Sequence, residues 1–262
     1  MKYFIVSDVH GCYDEMIKGL EDTGYDSSNP DHVFVSLGDL FDRGDKSYEC
    51  LQFVNSLRDE QKILICGNHE DLLSEAILRK RFKRHDVHNK TDKTCWEFYK
   101  RLHPESSLET TTETEVLTWL ENWDELKKYI SSLKNYYVVG NNIFVHGWIP
   151  YWCHTLADIE KADWTDWYDA VWCDGAQYCI RWGLKLKTND TSNADIVTVF
   201  CGHIHSFWLN NKYHQKGKII TDSNGNIDLS KIDNSPFIDK GIVNLDSYSY
   251  ETKKVNVYVL EI

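Results

Sequence analysis

The fold is decided by three stretches of the chain: KYFIVSD (residues 2–8), VFVSLGD (33–39) and ILICGNHE (63–70). Each is an apolar run rich in β-branched and aromatic residues, which predicts a buried strand, and each ends in polar residues. Helical spacing follows at 13–20, at 47–57 and directly after Glu70. A strand, a polar loop and a helix repeated three times predict a largely parallel sheet covered by helices. Such sheets bind ligands at the carboxyl ends of their strands.

The remainder of the chain divides into a helical part and a part rich in strands. Residues 82–133 are polar, with helical patterns near 93–102 and 114–133, and we interpret them as an insertion. Strand patterns return at 136–139, 142–145, 196–201, 241–245 and 255–262, with a loop or hairpin tip at 222–235. We therefore expect a single α/β domain spanning residues 1–262.

A segment at about 148–186 holds six of the ten tryptophans. Its simplest interpretation is a packed aromatic subdomain over the sheet. A sharper hypothesis is that one or two of these indoles stack on a nucleobase or on an aromatic side chain of a peptide substrate.

Charge and apolar content restrict the partners. The formal net charge is -12 and no long run of Lys or Arg occurs, which argues against duplex nucleic acid and anionic membranes. No apolar stretch approaches the ~20 residues of a membrane-spanning helix, and the start does not resemble a signal peptide. The eight cysteines contain no C-x-x-C pair. We expect a cytoplasmic protein with reduced thiols and no membrane partner.

Five short motifs carry candidate metal ligands, most of them directly after an apolar run. Together they offer three candidate carboxylate ligands (Asp8, Asp39 and Asp42), one amide and five histidines. A mixed oxygen and nitrogen set without thiolate suits manganese, iron or zinc, and it exceeds what one ion needs. We expect two divalent ions, with manganese as the first choice and iron or zinc as alternatives. The motifs are Asp8-Val9-His10, Gly38-Asp39-Leu40-Phe41-Asp42-Arg43-Gly44, Gly67-Asn68-His69-Glu70, Val145-His146-Gly147 and Gly202-His203-Ile204-His205.

In this order the motifs resemble those of calcineurin-like metallophosphoesterases. The segments 39–44 and 67–70 are similar to bacterial and phage serine/threonine protein phosphatases of the phosphoprotein phosphatase type. The resemblance covers about residues 1–75 and 136–206. It implies an α/β/β/α sandwich, in which two packed mixed sheets are flanked by helices.

The resemblance also implies a ligand set and a reaction. A hydroxide that bridges the two ions would attack phosphorus in line, and His69, oriented by Asp42, would protonate the leaving group. Arg43 and Asn68 would contact the substrate phosphate. By motif, the first ion would be bound by Asp8, His10 and Asp39, with His205 as a further candidate. The second ion would be bound by Asp39, Asn68, His146 and His203.

The sequence departs from the phosphatase pattern at two places. His205 adds a second histidine to the last motif, which is more usual in the wider phosphoesterase superfamily. Ala170-Val171-Trp172 stands where phage-like relatives have Ala-Arg-Trp, and we assign the missing phosphate contact to Arg181.

These departures leave the substrate open. The main expectation is a serine/threonine-type protein phosphatase acting on a phosphorylated protein or on small phosphoesters. The alternative is a dinucleoside polyphosphate hydrolase, of the diadenosine tetraphosphate type, or a phosphodiesterase. A non-catalytic scaffold is disfavoured because every ligand of the motifs is present.

Overall fold

Two β-sheets form the centre of the computed structural model, which describes residues 1–107 and 109–262. The strands are β1 (Lys2–Val6), β2 (His32–Ser36), β3 (Lys62–Leu64), β4 (Tyr137–Val139), β5 (Asn142–Phe144), β6 (Thr198–Cys201), β7 (Phe237–Asp239), β8 (Ile242–Asn244) and β9 (Tyr258–Glu261). The first sheet has the order β3-β2-β1-β9, in which β9 is antiparallel to β1 and the rest are parallel. The second has the order β4-β5-β6-β8-β7, with antiparallel pairs at both edges.

The two sheets pack against each other through side chains on one face of each sheet. Successive side chains of a strand point to opposite faces of its sheet. Tyr3 and Ile5 of β1 therefore share one buried cluster with Phe144, Phe200 and Val243 of the second sheet. The two sheets pack face to face through this cluster.

Helices cover the outer face of each sheet. Phe4 and Phe34 of the first sheet share a core with apolar residues of α1–α3 and α5–α7, and Ile143 and Val199 of the second share one with residues of α8–α11. The expected α/β/β/α sandwich is therefore confirmed. The helices are α1 (Tyr13–Asp22), α2 (Ser47–Ser56), α3 (Asn68–Arg79), α4 (Arg84–Asn89), α5 (Thr91–Leu102), α6 (Glu113–Asn122), α7 (Asp124–Ser132), α8 (Leu156–Ile159), α9 (Trp164–Val171), α10 (Gly175–Trp182), α11 (Ser206–His214) and α12 (Ser249–Thr252).

The structure differs from the predicted elements at three places. The single helix expected over 114–133 is two helices, because Trp123 is extended (φ -78°, ψ 112°) and its indole stacks on Tyr48. The last strand begins at Tyr258 and not at Val255, and β7 was not predicted. Among the described helices, none combines the length and the apolar character that crossing a membrane would require.

Candidate metal centre and active site

The carboxyl ends of five strands bring the sequence motifs together. Asp8 follows β1, Asp39 follows β2, Asn68 begins α3 after β3, His146 follows β5 and His203 follows β6. The backbone N–H of His203 donates to both carboxylate oxygens of Asp8, at 3.2 and 3.0 Å, across 195 positions of sequence. These polar residues thus lie close together at one edge of the sheets.

Left-handed backbone is concentrated in these loops. The conformation turns the chain sharply, so that neighbouring loops lock together: the N–H of His10 donates to the carbonyl of Asp39 at 2.9 Å, and the N–H of Gly44 to that of His10 at 2.9 Å. Such backbone disfavours side chains with a Cβ, although Asp and His tolerate it better than most. The positive φ angles are those of Asp8 (50°), His10 (50°), Asp39 (55°), Asp42 (70°), Arg43 (65°) and His203 (65°).

Two groups of potential metal ligands share Asp39. Within each group the ligand atoms all lie within 4.8 Å of one another. Oδ2 of Asp39 lies 3.8 Å from Nε2 of His10 and 3.8 Å from Nε2 of His69, whereas Oδ1 lies 3.5 Å from Nε2 of His146. One oxygen faces each group, so this carboxylate would be able to contact an ion held by either group. The groups are His10, Asp39 and His69, and Asp39, His146 and His203.

Hydrogen bonds fix the imidazoles in the form that binds metal. Nδ1 of His10 lies 3.0 Å from the carbonyl of Phe41, and Nδ1 of His146 lies 2.8 Å from the carbonyl of Leu37. A carbonyl only accepts, so Nδ1 carries the proton and Nε2 is the nitrogen left to bind a metal. Burial, reinforced by Arg43, holds the pKa of His10 well below its usual range, so this imidazole stays neutral.

Asn68 and His203 complete the second group. The side-chain oxygen of Asn68 lies 2.9 Å from Nε2 of His146 and 2.9 Å from Nδ1 of His203. Burial, followed by the neighbouring His146, lowers the pKa of His203 to about 3. The second group therefore offers two imidazole nitrogens, an amide oxygen and the shared carboxylate.

Asp8 and His205 lie beside these groups and outside both of them in the described part of the chain. Burial and Asp246 raise the pKa of Asp8 to about 6. Nδ1 of His205 lies 2.8 Å from Oδ2 of Asp246, and its ring contacts that of Tyr248, with the ring centroids 4.2 Å apart. Burial opposes both charges, but their attraction raises the pKa of His205 and lowers that of Asp246.

The donor set fits two divalent ions. It combines imidazole nitrogens with carboxylate and amide oxygens, the ligands that manganese, iron and zinc accept. Burial also raises the pKa of Asp39 well above its usual range, so a cation beside this carboxylate would offset an unfavourable desolvation.

His69 and Asp42 form a buried pair next to the ligands. Nδ1 of His69 lies 2.6 Å from Oδ2 of Asp42. Burial lowers the pKa of His69, but the Asp39 and Asp42 carboxylates outweigh it and the pKa is raised. The hydroxyls of Thr91 and Thr94 on α5 donate to Asp42 at 2.7 and 2.6 Å. These threonines were not predicted, because nothing in the local sequence links them to Asp42.

Arg43 lies across both histidines of the first group. Its guanidinium nitrogens lie 2.9 Å from Nε2 of His10 and 3.2 Å from Nε2 of His69, and it stacks over Tyr250. A guanidinium only donates, so both Nε2 lone pairs face the space it occupies. Protonation of His69 at Nε2 requires the guanidinium to move off that nitrogen.

Glu70 holds the loops without facing the ligands. Its oxygens accept from the backbone N–H groups of Gly67, Asp39 and Leu40 at 2.9, 2.8 and 3.0 Å, and from the hydroxyl of Tyr129 at 2.9 Å. The contact with the N–H of Gly67 also caps the start of α3.

Arg181 and the tryptophans of the segment 148–186 lie at different distances from the ligand groups. Arg181 is exposed on α10, outside both ligand groups. Trp148 and Trp167 are buried in the core, as the simpler interpretation expects. The ring of Trp172 instead lies 6.5 Å from that of His203, at the border of the site.

A cavity of about 530 Å³ opens beside His203 and His205.

The family model for calcineurin-like phosphoesterases matches residues 1–207. The chain belongs to this family. The resemblance carried by the five motifs is thus confirmed.

Curated relatives match over a shorter stretch. The symmetrical bis(5'-nucleosyl)-tetraphosphatase of Pasteurella multocida is 44% identical over 87 residues, 33% of this chain and 30% of that protein. The asymmetrical bis(5'-nucleosyl)-tetraphosphatase PrpE of Bacillus velezensis is 41% identical over 76 residues, 26% of this chain and 30% of that protein. The matching stretches span about a third of these relatives.

A solved structure has a similar fold. The cold-active protein-tyrosine phosphatase of a psychrophilic Shewanella species is 17% identical, with a TM-score of 0.54 over 99% of this chain and 75% of that one. At this identity the likeness concerns the fold alone.

Proposed function

We propose that the chain is a metal-dependent phosphoester hydrolase. The observation that carries the proposal is the pair of ligand groups sharing Asp39, beside the buried pair of His69 and Asp42. When bound, the two ions supply Lewis acidity toward the phosphoryl oxygens and lower the pKa of water toward neutrality. One ion would be held by His10 and Asp39, with Asp8 and His205 as further ligands, and the other by Asp39, Asn68, His146 and His203.

His69, Asp42 and Arg43 supply the remaining chemistry in this proposal. His69 gives the proton at Nε2 to the leaving oxygen, and Asp42 holds the ring and stabilises its charge through Nδ1. Arg43 moves from the two imidazoles onto the phosphoryl oxygens, which its planar fork can contact at two points. That movement frees Nε2 of His69 to act as the acid.

As substrates we propose dinucleoside polyphosphates. Two relatives named as tetraphosphatases support this choice, as does the cavity beside His203, which Trp208 and Lys212 line. Phosphoserine and phosphothreonine are the second candidate. It is supported by the segments 39–44 and 67–70, which are similar to serine/threonine phosphatases.

A substrate panel tests both the proposed hydrolysis of phosphoesters and the proposed preference for dinucleoside polyphosphates. The chain, supplemented in turn with manganese, iron and zinc, is offered a monoester, a diester, a phosphopeptide and a dinucleoside tetraphosphate. We expect hydrolysis with manganese and the highest kcat/KM for the dinucleotide. Turnover of no member with any ion would refute the hydrolase, and a preference for the phosphopeptide would refute the dinucleotide assignment alone.

A further inference from the structure

Two helices form the walls of a groove that leads away from the ligand groups. Each wall is one helix face, because residues three and four apart lie on the same side of a helix. The 530 Å³ cavity and a second one of about 210 Å³ share Asp174, Gln177 and Lys212, so they form one continuous groove. The face of α10 and its N-terminus presents Asp174, Gln177 and Arg181, and that of α11 presents His205, Trp208 and Lys212.

The groove carries two cationic side chains, Lys212 and Arg181. At the helical rise, Trp208 lies about 4.5 Å and Lys212 about 10 Å beyond His205 along the axis of α11. Nζ of Lys212 donates to the side-chain oxygen of Gln177 across the groove, at 3.1 Å. Within the described residues, neither Lys212 nor Arg181 forms a salt bridge, so both charges remain available to an anion.

These cations matter because the chain as a whole is acidic. A net charge of -12 repels polyanions, so a polyphosphate needs local positive charge in order to bind. Asp174, whose Oδ1 lies 3.9 Å from Nε2 of His203, repels phosphate at the near end of the α10 wall. A phosphate chain would therefore follow the α11 wall toward Lys212.

Trp208 offers a flat apolar surface on the same wall. Its side chain is 42% exposed and packs on Phe207, with the ring centroids 5.1 Å apart. An indole at the edge of a polar groove can stack on a nucleobase of any identity.

We propose that this groove binds the part of a dinucleoside polyphosphate that lies beyond the phosphate under attack. Lys212 contacts the distal phosphates, Arg181 extends the same positive surface, and Trp208 stacks on a base. The inference rests on the proposed function, since it names the residues that would select this substrate. It assigns Arg181 to a distal phosphate and not to the reacting one.

Substitutions in the groove test this assignment. In Lys212→Ala a charge-assisted contact is lost, and we expect KM for a dinucleoside tetraphosphate to rise about tenfold. Trp208→Ala should raise it at least about fivefold through lost stacking. The kinetics of p-nitrophenyl phosphate should stay unchanged. Lys216→Ala and Trp164→Ala are matched controls, because both side chains are exposed and neither lines the groove.

Calorimetric binding of a methylene-bridged, non-hydrolysable dinucleoside tetraphosphate separates the two hypotheses. If no substrate is hydrolysed but Lys212→Ala weakens this binding about tenfold, the proposed function fails and the groove assignment stands. If Lys212→Ala and Trp208→Ala leave both the binding and KM unchanged, the groove assignment fails whatever the activity. Equal effects on p-nitrophenyl phosphate, or a larger effect on a phosphopeptide, would also overturn it.

Discussion

Glu70→Gln tests how the loops of the site are held in place. The Glu70 side chain is 1% exposed and accepts two hydrogen bonds at each oxygen. Oε2 accepts from the N–H groups of Gly67 and Asp39. Oε1 accepts from the N–H of Leu40 and from the hydroxyl of Tyr129. Glutamine has the same shape, but it replaces one oxygen with an NH₂ group that cannot accept.

The magnitude follows from the four contacts. The least damaging orientation turns the NH₂ group toward Tyr129, whose hydroxyl can reverse and accept from it. The N–H of Leu40 is then buried without a partner, which costs about 1–3 kcal/mol, and the bonds at the other oxygen weaken because the acceptor is neutral. We expect a total loss of about 2–4 kcal/mol in the free energy of unfolding.

Urea unfolding of the chelator-treated chain at neutral pH, followed by tryptophan fluorescence, measures this loss. Tyr129→Phe is the matched control, because it removes one hydrogen bond and leaves the carboxylate intact; it should cost about 1–2 kcal/mol. A Glu70→Gln variant within about 0.5 kcal/mol of the parent chain would refute the reasoning. So would a larger loss for Tyr129→Phe than for Glu70→Gln.

Three further predictions concern the ligand groups and their surroundings. His69→Asn should keep the bound metal and lower kcat, whereas Asp39→Asn should lose metal as well; elemental analysis beside kinetics checks this, and equal metal loss in both variants would contradict the assigned roles. Thr94→Val removes a 2.6 Å hydrogen bond to Asp42 and should lower kcat about tenfold with metal content unchanged, with Thr118→Val, on an exposed helix position, as its control. Burial raises the pKa of Asp71 to about 6 from 3.8, so the folded chain holds this proton more tightly and loses stability as pH rises between these values. At pH ~8 the free energy of unfolding of Asp71→Asn should therefore be about 1–3 kcal/mol higher than that of the parent chain. This difference should vanish below pH ~4. If the variant is still more stable in acid, titration of Asp71 is not the cause.

The sequence predicted the residues whose position follows from the strands. Asp8, Asp39 and His146 come directly after apolar runs, and the carboxyl ends of parallel strands meet at one edge of a sheet. Asp246 also follows an apolar run, after β8, and the same argument could have identified it as the partner of His205.

Other features depend on contacts that leave no local pattern. Thr94 lies 52 positions from Asp42, and a threonine within a helix is not in itself a functional signal. The break at Trp123 arises because its indole packs on Tyr48 from another helix, which overrides the continuous helical pattern. The positions of the candidate ligands were thus predictable from order along the chain, whereas the groups that hold these side chains depend on tertiary packing.

The left-handed backbone of the ligand loops has a consequence for the evolution of this chain. A left-handed residue with a Cβ costs about 1–2 kcal/mol relative to a relaxed one, and glycine avoids that cost. Selection for folding alone would therefore drive positions such as Arg43 and His203 toward glycine, whereas selection for the proposed chemistry would keep the present residues. The stability that remains for tolerating mutations elsewhere is correspondingly smaller. At these loops, the substitutions that would stabilise the fold are thus the opposite of those that would favour activity.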